Sequence, residues 1–393
     1  MSTFWLVGLC CALLGCLSPG FAKQADQWDM AALRKPPSVN VVAQEGGLRS
    51  LYYEGETYKG KPTRVFAYLA YPEKIEKSMP AVVLVHGGGG KAFAQWAKLW
   101  AERGYIALAM DLFGQGPDGK HAPDGGPRND PSEVFAEKNP KDAWPYQAAA
   151  NVIRGISLLT SLPEVDPKRI GITGISWGGY LTCIVAGLDN RLRAAVPVYG
   201  CGYLHEATGW TEALQAMPEG ERRTWVERFD PSSYLGRARM PTLFMSGTND
   251  FAYWLPAYQK SYRLVKRRAL CVTVRMPHSH EAGWAPKEIG LFMDSHLKGG
   301  VQLPSVRGTR LEGNTVEAEF RSKLPLSSAA LCYTTDTCAW PERKWQSTPA
   351  KVDGLRVKAA LPDARPIVYF LTATDSRGAT VSTEHETILG KTE

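Results

Sequence analysis

The sequence predicts an α/β protein, with a mostly parallel central sheet carrying helices on both faces, followed by a small all-β sandwich. Three observations predict it. Short continuous apolar runs such as "PAVVLVHGGGG", "YIALAMDLFG" and "RIGITGIS" alternate with segments that are apolar at helical spacing, the pattern of strands buried on both faces. One of these runs ends on a serine, Ser176, between Gly174 and Gly178, and a helical pattern begins at once. Beyond "KGGVQLPS" the helical period disappears, and short alternating runs separated by turn residues take over.

The chain has 393 residues, 44% hydrophobic and 22% charged, enough for a large core and for more than one domain. Its formal charge of +7 comes from scattered Lys and Arg with only short clusters such as "VKRRAL", which reads as a solvated surface and argues against a nucleic-acid or membrane-surface partner. The N-terminus stands apart. Residues 4–22, "FWLVGLCCALLGCLSPGFA", carry no charge and end in a small residue, so residues 1–22 read as a secretory signal peptide cleaved after Ala22, although the usual early Lys or Arg is missing. Pro19 and Gly20 break the run too early for a membrane span. "LLGC" also resembles a lipoprotein processing box, which would leave Cys16 lipidated, so the expected location is periplasmic or extracellular. Export permits disulfides. Cys332 and Cys338 flank the turn-like "YTTDT" and could close a hairpin disulfide, whereas Cys183, Cys201 and Cys271 sit in apolar runs as small buried hydrophobes.

A catalytic domain is expected over residues 38–300. Two alternating strands, "RSLYYEGE" and "TRVFAYLAYP", open it as an antiparallel start to the sheet. Then follow the strand "AVVLV", the helix "AFAQWAKLWAERG", the strand "YIALAMDLFG", the helix "YQAAANVIRGISLLTSL", the strand "RIGITGIS", the helix "YLTCIVAGL", and the strands "AAVPVYG" and "PTLFMSG". The helix "PAYQKSYRLVKR", the strand "ALCVTVRM" and the helix "APKEIGLFMDSHLKG" complete it. Insertions at about 114–141 and 201–237 are too long for plain connections and are candidate walls of a pocket. Residues 304–393 are expected to form the β-sandwich, with "KGGVQLPS" as its linker.

Gly-x-Ser-x-Gly alone is a weak signal, but a strand before it and a helix after it are what a nucleophile elbow needs. The sharp turn exposes the hydroxyl of Ser176 and points helix amides at the reaction centre. A second element supplies a place for negative charge. "HGGGG", 86–90, follows a strand, and its glycines let backbone amides reach an oxyanion, so the amide of Trp177 with one from Gly88 or Gly89 forms the expected oxyanion hole. A base and its orienter should follow the serine in the order acid, then histidine. Asp250 in "MSGTNDFAYW" is the expected acid, and of the two histidines in "VRMPHSHEAGW" His280 is the expected base because it lies further into the loop, with His278 the alternative. Trp254, Trp284 and Trp210 fall close to these positions or in the second insertion and are candidate substrate-binding rings.

The order "VLVHGGGG", "MDLFGQG", "GISWGGYLT", "DPSSYL", "MPTLFMSGTND" and "MPHSHEAG" across residues 81–298 resembles the α/β-hydrolase fold, in the group of dienelactone hydrolases, acetyl xylan esterases and prolyl oligopeptidases. Serine in place of the cysteine typical of dienelactone hydrolases argues against that substrate. The prolyl peptidases' N-terminal propeller is missing, and the trailing β-domain is unusual for a plain esterase. The expectation is an exported serine carboxylic ester hydrolase that needs no metal or organic cofactor and acts on small or carbohydrate esters. A serine peptidase or amidase is the second reading, and a non-catalytic binding protein on the same fold the third.

Overall fold

The computed structural model describes residues 27–130 and 134–390; the apolar leader, with its cleavage site and Cys16, lies outside the described residues. The central sheet has nine strands, β1 (Val39–Glu45), β2 (Leu48–Glu54), β3 (Arg64–Ala70), β4 (Met79–Val85), β5 (Ile106–Met110), β6 (Val165–Ile175), β7 (Leu192–Val198), β8 (Thr242–Gly247) and β9 (Arg268–Thr273). Their spatial order is β1-β2-β3-β5-β4-β6-β7-β8-β9. β1 to β3 form antiparallel ladders, β3 meets β5 antiparallel, and from β5 to β9 every pairing is parallel. The parallel strands β4 and β5 are buried along their whole length, which is why they read as unbroken apolar runs. β1, exposed at every residue, covers the sheet edge and has no apolar face for periodicity to detect.

Five helices pack on this sheet, α1 (Ala94–Glu102), α2 (Trp144–Ser161), α3 (Trp177–Leu188), α4 (Leu255–Arg263) and α5 (Lys287–Leu297). The core divides into two clusters, one on each face. Val82, Leu84, Ala107 and Val196 point to the α1 and α5 side, while Val83, Val85, Leu108 and Ile172 point to the α2 side. No helix among the described residues is long and apolar enough to cross a membrane. The two insertions meet each other: the Phe135 and Trp225 ring centroids lie 4.9 Å apart, and Trp225 Nε1 donates to the Val134 carbonyl at 3.2 Å.

The C-terminal part comprises β10 (Ser305–Glu312), β11 (Thr315–Arg321), β12 (Leu326–Thr334), β13 (Gln346–Pro349), β14 (Lys351–Asp353), β15 (Arg356–Ala360), β16 (Ile367–Asp375), β17 (Thr380–Ser382) and β18 (Glu386–Ile388). They form two antiparallel sheets, β10-β11-β15-β14 and β13-β12-β16-β17, with β18 also paired to β16. This part is pressed against the central sheet. Leu255 of α4 and Val272 of β9 share one buried cluster with Cys332, Trp345, Val368 and Phe370, and the Val272 amide donates to Ser382 Oγ at 3.0 Å. Arg263 and Arg268 each reach Glu384 at 2.7 Å. "KGGVQLPS" thus joins two parts that hold a core in common.

The proposed Cys332–Cys338 bridge is not formed. Cys332 sits inside β12 with its sulfur in the shared cluster and 3.5 Å from Ser347 Oγ, while Cys338 is exposed in the following loop, so the two thiols face different surroundings.

Candidate active site

β6 ends at Ile175, and Ser176 adopts φ 58° and ψ −119°, a left-handed backbone that L side chains rarely take, before α3 starts at Trp177. The turn is possible because its neighbours lack side chains. A Cβ on Gly178 would collide with the Val85 carbonyl, and one on Gly174 with the Gly178 carbonyl. Ser176 is held by its amide on the Val198 carbonyl at 2.9 Å, and it remains half-exposed where the surrounding strands are buried.

The glycine loop 86–90 follows β4 and closes over the start of α3, so that a Cβ on Gly88 would stand 3.1 Å from the Trp177 ring. As a first-turn residue, Trp177 has an amide with no acceptor inside its helix. Gly88 and Gly89 are exposed, whereas Gly87 is buried and its amide is already used: it donates to His280 Nε2 at 3.0 Å. His86 fixes the same loop. Its Nδ1–H donates to the Gly87 carbonyl at 2.9 Å and its Nε2 accepts the Leu112 amide at 3.0 Å, a bonding pattern that requires neutral imidazole. Burial pushes its pKa down to about 4. Asp111, buried beside it, is pushed up to about 6 by burial, against the opposing effect of the Gln115 and Phe113 amides on its Oδ1.

Asp250 stands three residues past the end of β8, buried, with Oδ1 accepting the Ala252 and Tyr253 amides at 2.9 and 2.7 Å. Its Oδ2 lies 2.6 Å from Nδ1 of His278. This corrects the sequence expectation, which placed His280 on the acid. Ser279 caps a short helix, His280–Trp284, by accepting the Ala282 amide on Oγ at 3.0 Å, so His280 is the first helical residue and is turned toward the glycine loop. His278, the last residue before the cap, stays beside Asp250. The Ser279 cap with Glu281 in the first turn was a readable helix-start signal. Burial lowers the His280 pKa to about 4, with His86 adding to the effect, in keeping with a neutral Nε2 acceptor.

Residues without a sequence signal complete the surroundings. Tyr199, itself at φ 64°, stacks on His278 with ring centroids 4.4 Å apart, and its hydroxyl donates to the Pro277 carbonyl at 2.6 Å. Phe251 lies 4.6 Å from the same ring, tilted to it, and is 62% exposed. The tryptophans divide. Trp210, brought in by the second insertion, lies 4.9 Å from the Trp177 ring; Trp284 packs on Trp96 at 5.4 Å and on Phe93, which itself touches His280; Trp254 begins α4 and its Nε1 donates to the Phe251 carbonyl. Trp177 is itself buried by Trp144, Tyr180 and Trp210.

Comparison with known proteins gives the same architecture. The acetyl xylan esterase from Paenibacillus sp. R4 superposes with a TM-score of 0.56 at 23% identity, over 70% of this chain and 94% of that one. Acetyl xylan esterase 1 from Thermoanaerobacterium sp. superposes with a TM-score of 0.54 at 18% identity, over 66% and 90%. In sequence, acetyl esterase Axe7A of Xylanibacter ruminicola is 27% identical over 201 residues, 47% of this chain and 46% of that protein, and the uncharacterized protein YcjY of Escherichia coli is 29% identical over 188 residues, 45% and 56%. The chain spans about half the length of these curated relatives. The acetyl xylan esterase (AXE1) family model matches residues 43–243, just over half of the chain and including the Ser176 turn, and the chain belongs to that family.

Proposed function

We propose that this protein is an exported serine carboxylic ester hydrolase that removes small acyl groups, acetyl first among them, from hydroxylated substrates such as carbohydrates. The observation that carries the reading is the 2.6 Å bond between Asp250 and His278, whose ring stacks on Tyr199, the residue after the one that accepts the Ser176 amide. Asp250 holds the imidazole with Nδ1 protonated, so Nε2 is the nitrogen left to take the proton of Ser176 as Oγ attacks the ester carbonyl. The amides of Trp177 and of Gly88 or Gly89 receive the oxyanion, the alcohol leaves with the proton from His278, and water then repeats the sequence on the acyl-enzyme. His280 Nε2 and Ser176 Cβ both lie against Gly87, and by accepting the Gly87 amide His280 sets the peptide from which Gly88 and Gly89 follow. The family membership supports ester over amide substrates. Export rests on the apolar leader.

Hydrolysis of a short aryl acetate by the purified protein, compared with Ser176→Ala, tests the reading. The expected loss in kcat is about three orders of magnitude or more with the fold retained. A variant that keeps most of the activity would refute it, and cleavage of a peptidyl arylamide with no cleavage of esters would move the protein to the amidase reading.

A further inference from the structure

The opposite end of the hydrolase sheet holds a second concave site. A cavity of about 1160 Å³ opens where the chain enters β7, β8 and β9, beside Leu192, Pro241 and Arg267. The triad loops leave the other ends of the same strands, so the six-residue span of β8 sets the two sites roughly 20 Å apart. Six cationic side chains line the cavity, Arg34, Arg193, Arg237, Arg239, Lys266 and Arg267, with no Asp or Glu among the lining residues. Some exposed arginines elsewhere are matched, as Arg263 and Arg268 are by Glu384 and Arg310 is by Glu317. Here Arg34 reaches the buried Asp189 at 3.8 Å, while Arg239, Lys266 and Arg267 are exposed and form no ion pair among the described residues. Like charges brought together around a concave, partly apolar wall raise the local potential and favour an anion that bridges several of them.

The floor decides which anion. Trp28, Leu192, Met240 and Pro241 line it, and the first three are buried. Trp28 is held from behind, stacked on Tyr146 with centroids 4.9 Å apart and donating from Nε1 to Tyr234 Oη at 3.1 Å. An apolar floor under a cationic rim matches a ligand with apolar faces and peripheral carboxylates, which guanidinium forks take in two-point fashion. A compact inorganic anion would leave the floor without a partner.

We propose that this trough binds an acidic polysaccharide, a chain of uronate sugars, and tethers the protein to it without taking part in catalysis. The proposal stands on the trough's own chemistry and not on the Ser176 site.

The test uses the full protein, polygalacturonate as the probe, neutral xylan as control and phosphatidylglycerol vesicles as the lipid arm. Binding to polygalacturonate by calorimetry is expected at about 20 mM salt, weakening about tenfold or more by about 200 mM, with none to neutral xylan. The R239E/K266E/R267E variant should lose at least about tenfold in affinity while keeping its melting temperature and its aryl acetate kcat/KM, since these side chains are exposed and far from Ser176. Charge-neutral R239Q/K266Q/R267Q should lose less. Wild-type protein that ignores polygalacturonate, a charge-reversed variant that binds as well as wild type, or tighter binding to the vesicles than to the polymer would each overturn the proposal.

Discussion

Asp250 grips His278 from a carboxylate that has no freedom left: Oδ2 lies 2.6 Å from the imidazole Nδ1, and Oδ1 is fixed by two backbone amides. The ring also stacks on Tyr199 and touches Phe251. An acid so held sets the tautomer and the orientation of the histidine together, the part an acid plays in a serine triad.

The two histidines should therefore separate cleanly on mutation. His278→Ala removes the group bonded to Asp250 and is expected to lower kcat/KM for an aryl ester by about three orders of magnitude or more, close to Ser176→Ala. His280→Ala leaves the Gly87 amide without its acceptor, an effect on the order of 1–3 kcal/mol, or roughly ten- to a hundredfold in kcat, with KM and the pH profile little changed. Measuring both variants on one ester decides between them, and equal losses would return His280 to the list of candidate bases.

Acid should unfold the protein from the inside. His86, His280, His296 and His385 are all held down to about 4 by burial, against about 6.5 when exposed. Because the folded state resists protonating them, the stability they carry is complete above pH 6.5 and is lost as pH falls toward 4. Asp111, raised to about 6, works the other way, since the folded state keeps its proton. The four histidines outweigh Asp111, so unfolding near pH 5 is coupled to net proton uptake. The melting temperature measured from pH 7 to pH 4 should fall steadily, and a flat profile would contradict this account.

The C-terminal sheets should prove necessary to the acid loop. Asn249, next to Asp250, donates both amide protons into that part of the chain, to the Pro341 carbonyl at 2.9 Å and the Arg343 carbonyl at 2.7 Å, and accepts the Thr248 hydroxyl at 2.8 Å. Asn249→Ala should lower the melting temperature by a few degrees and reduce kcat more than KM. A chain ending near Lys298 uncovers Leu255 and Val272 as well, so it is expected to aggregate or to melt far lower than the full protein. Soluble, fully active truncated protein would show that the shared cluster is dispensable.

What the sequence determined by itself was whatever depends on short spacing. Unbroken apolar strands announced the parallel sheet, the glycines around Ser176 announced a turn that only small neighbours allow, and the change of period after residue 300 announced the antiparallel sheets. Tertiary structure alone decided the pairings across long separations. His278 and His280 are two residues apart and chemically alike, and only the Ser279 cap, by turning the chain into a helix between them, sends one to Asp250 and the other to Gly87. The C-terminal linker looks flexible in sequence, yet Val272 and Phe370 meet because β9 offers an apolar edge that the sheet must cover. The cationic trough was likewise invisible: Arg193, Arg239 and Lys266 are scattered along the chain and meet because parallel strands bring their entry ends to one side of the sheet, where the N-terminal segment adds Arg34.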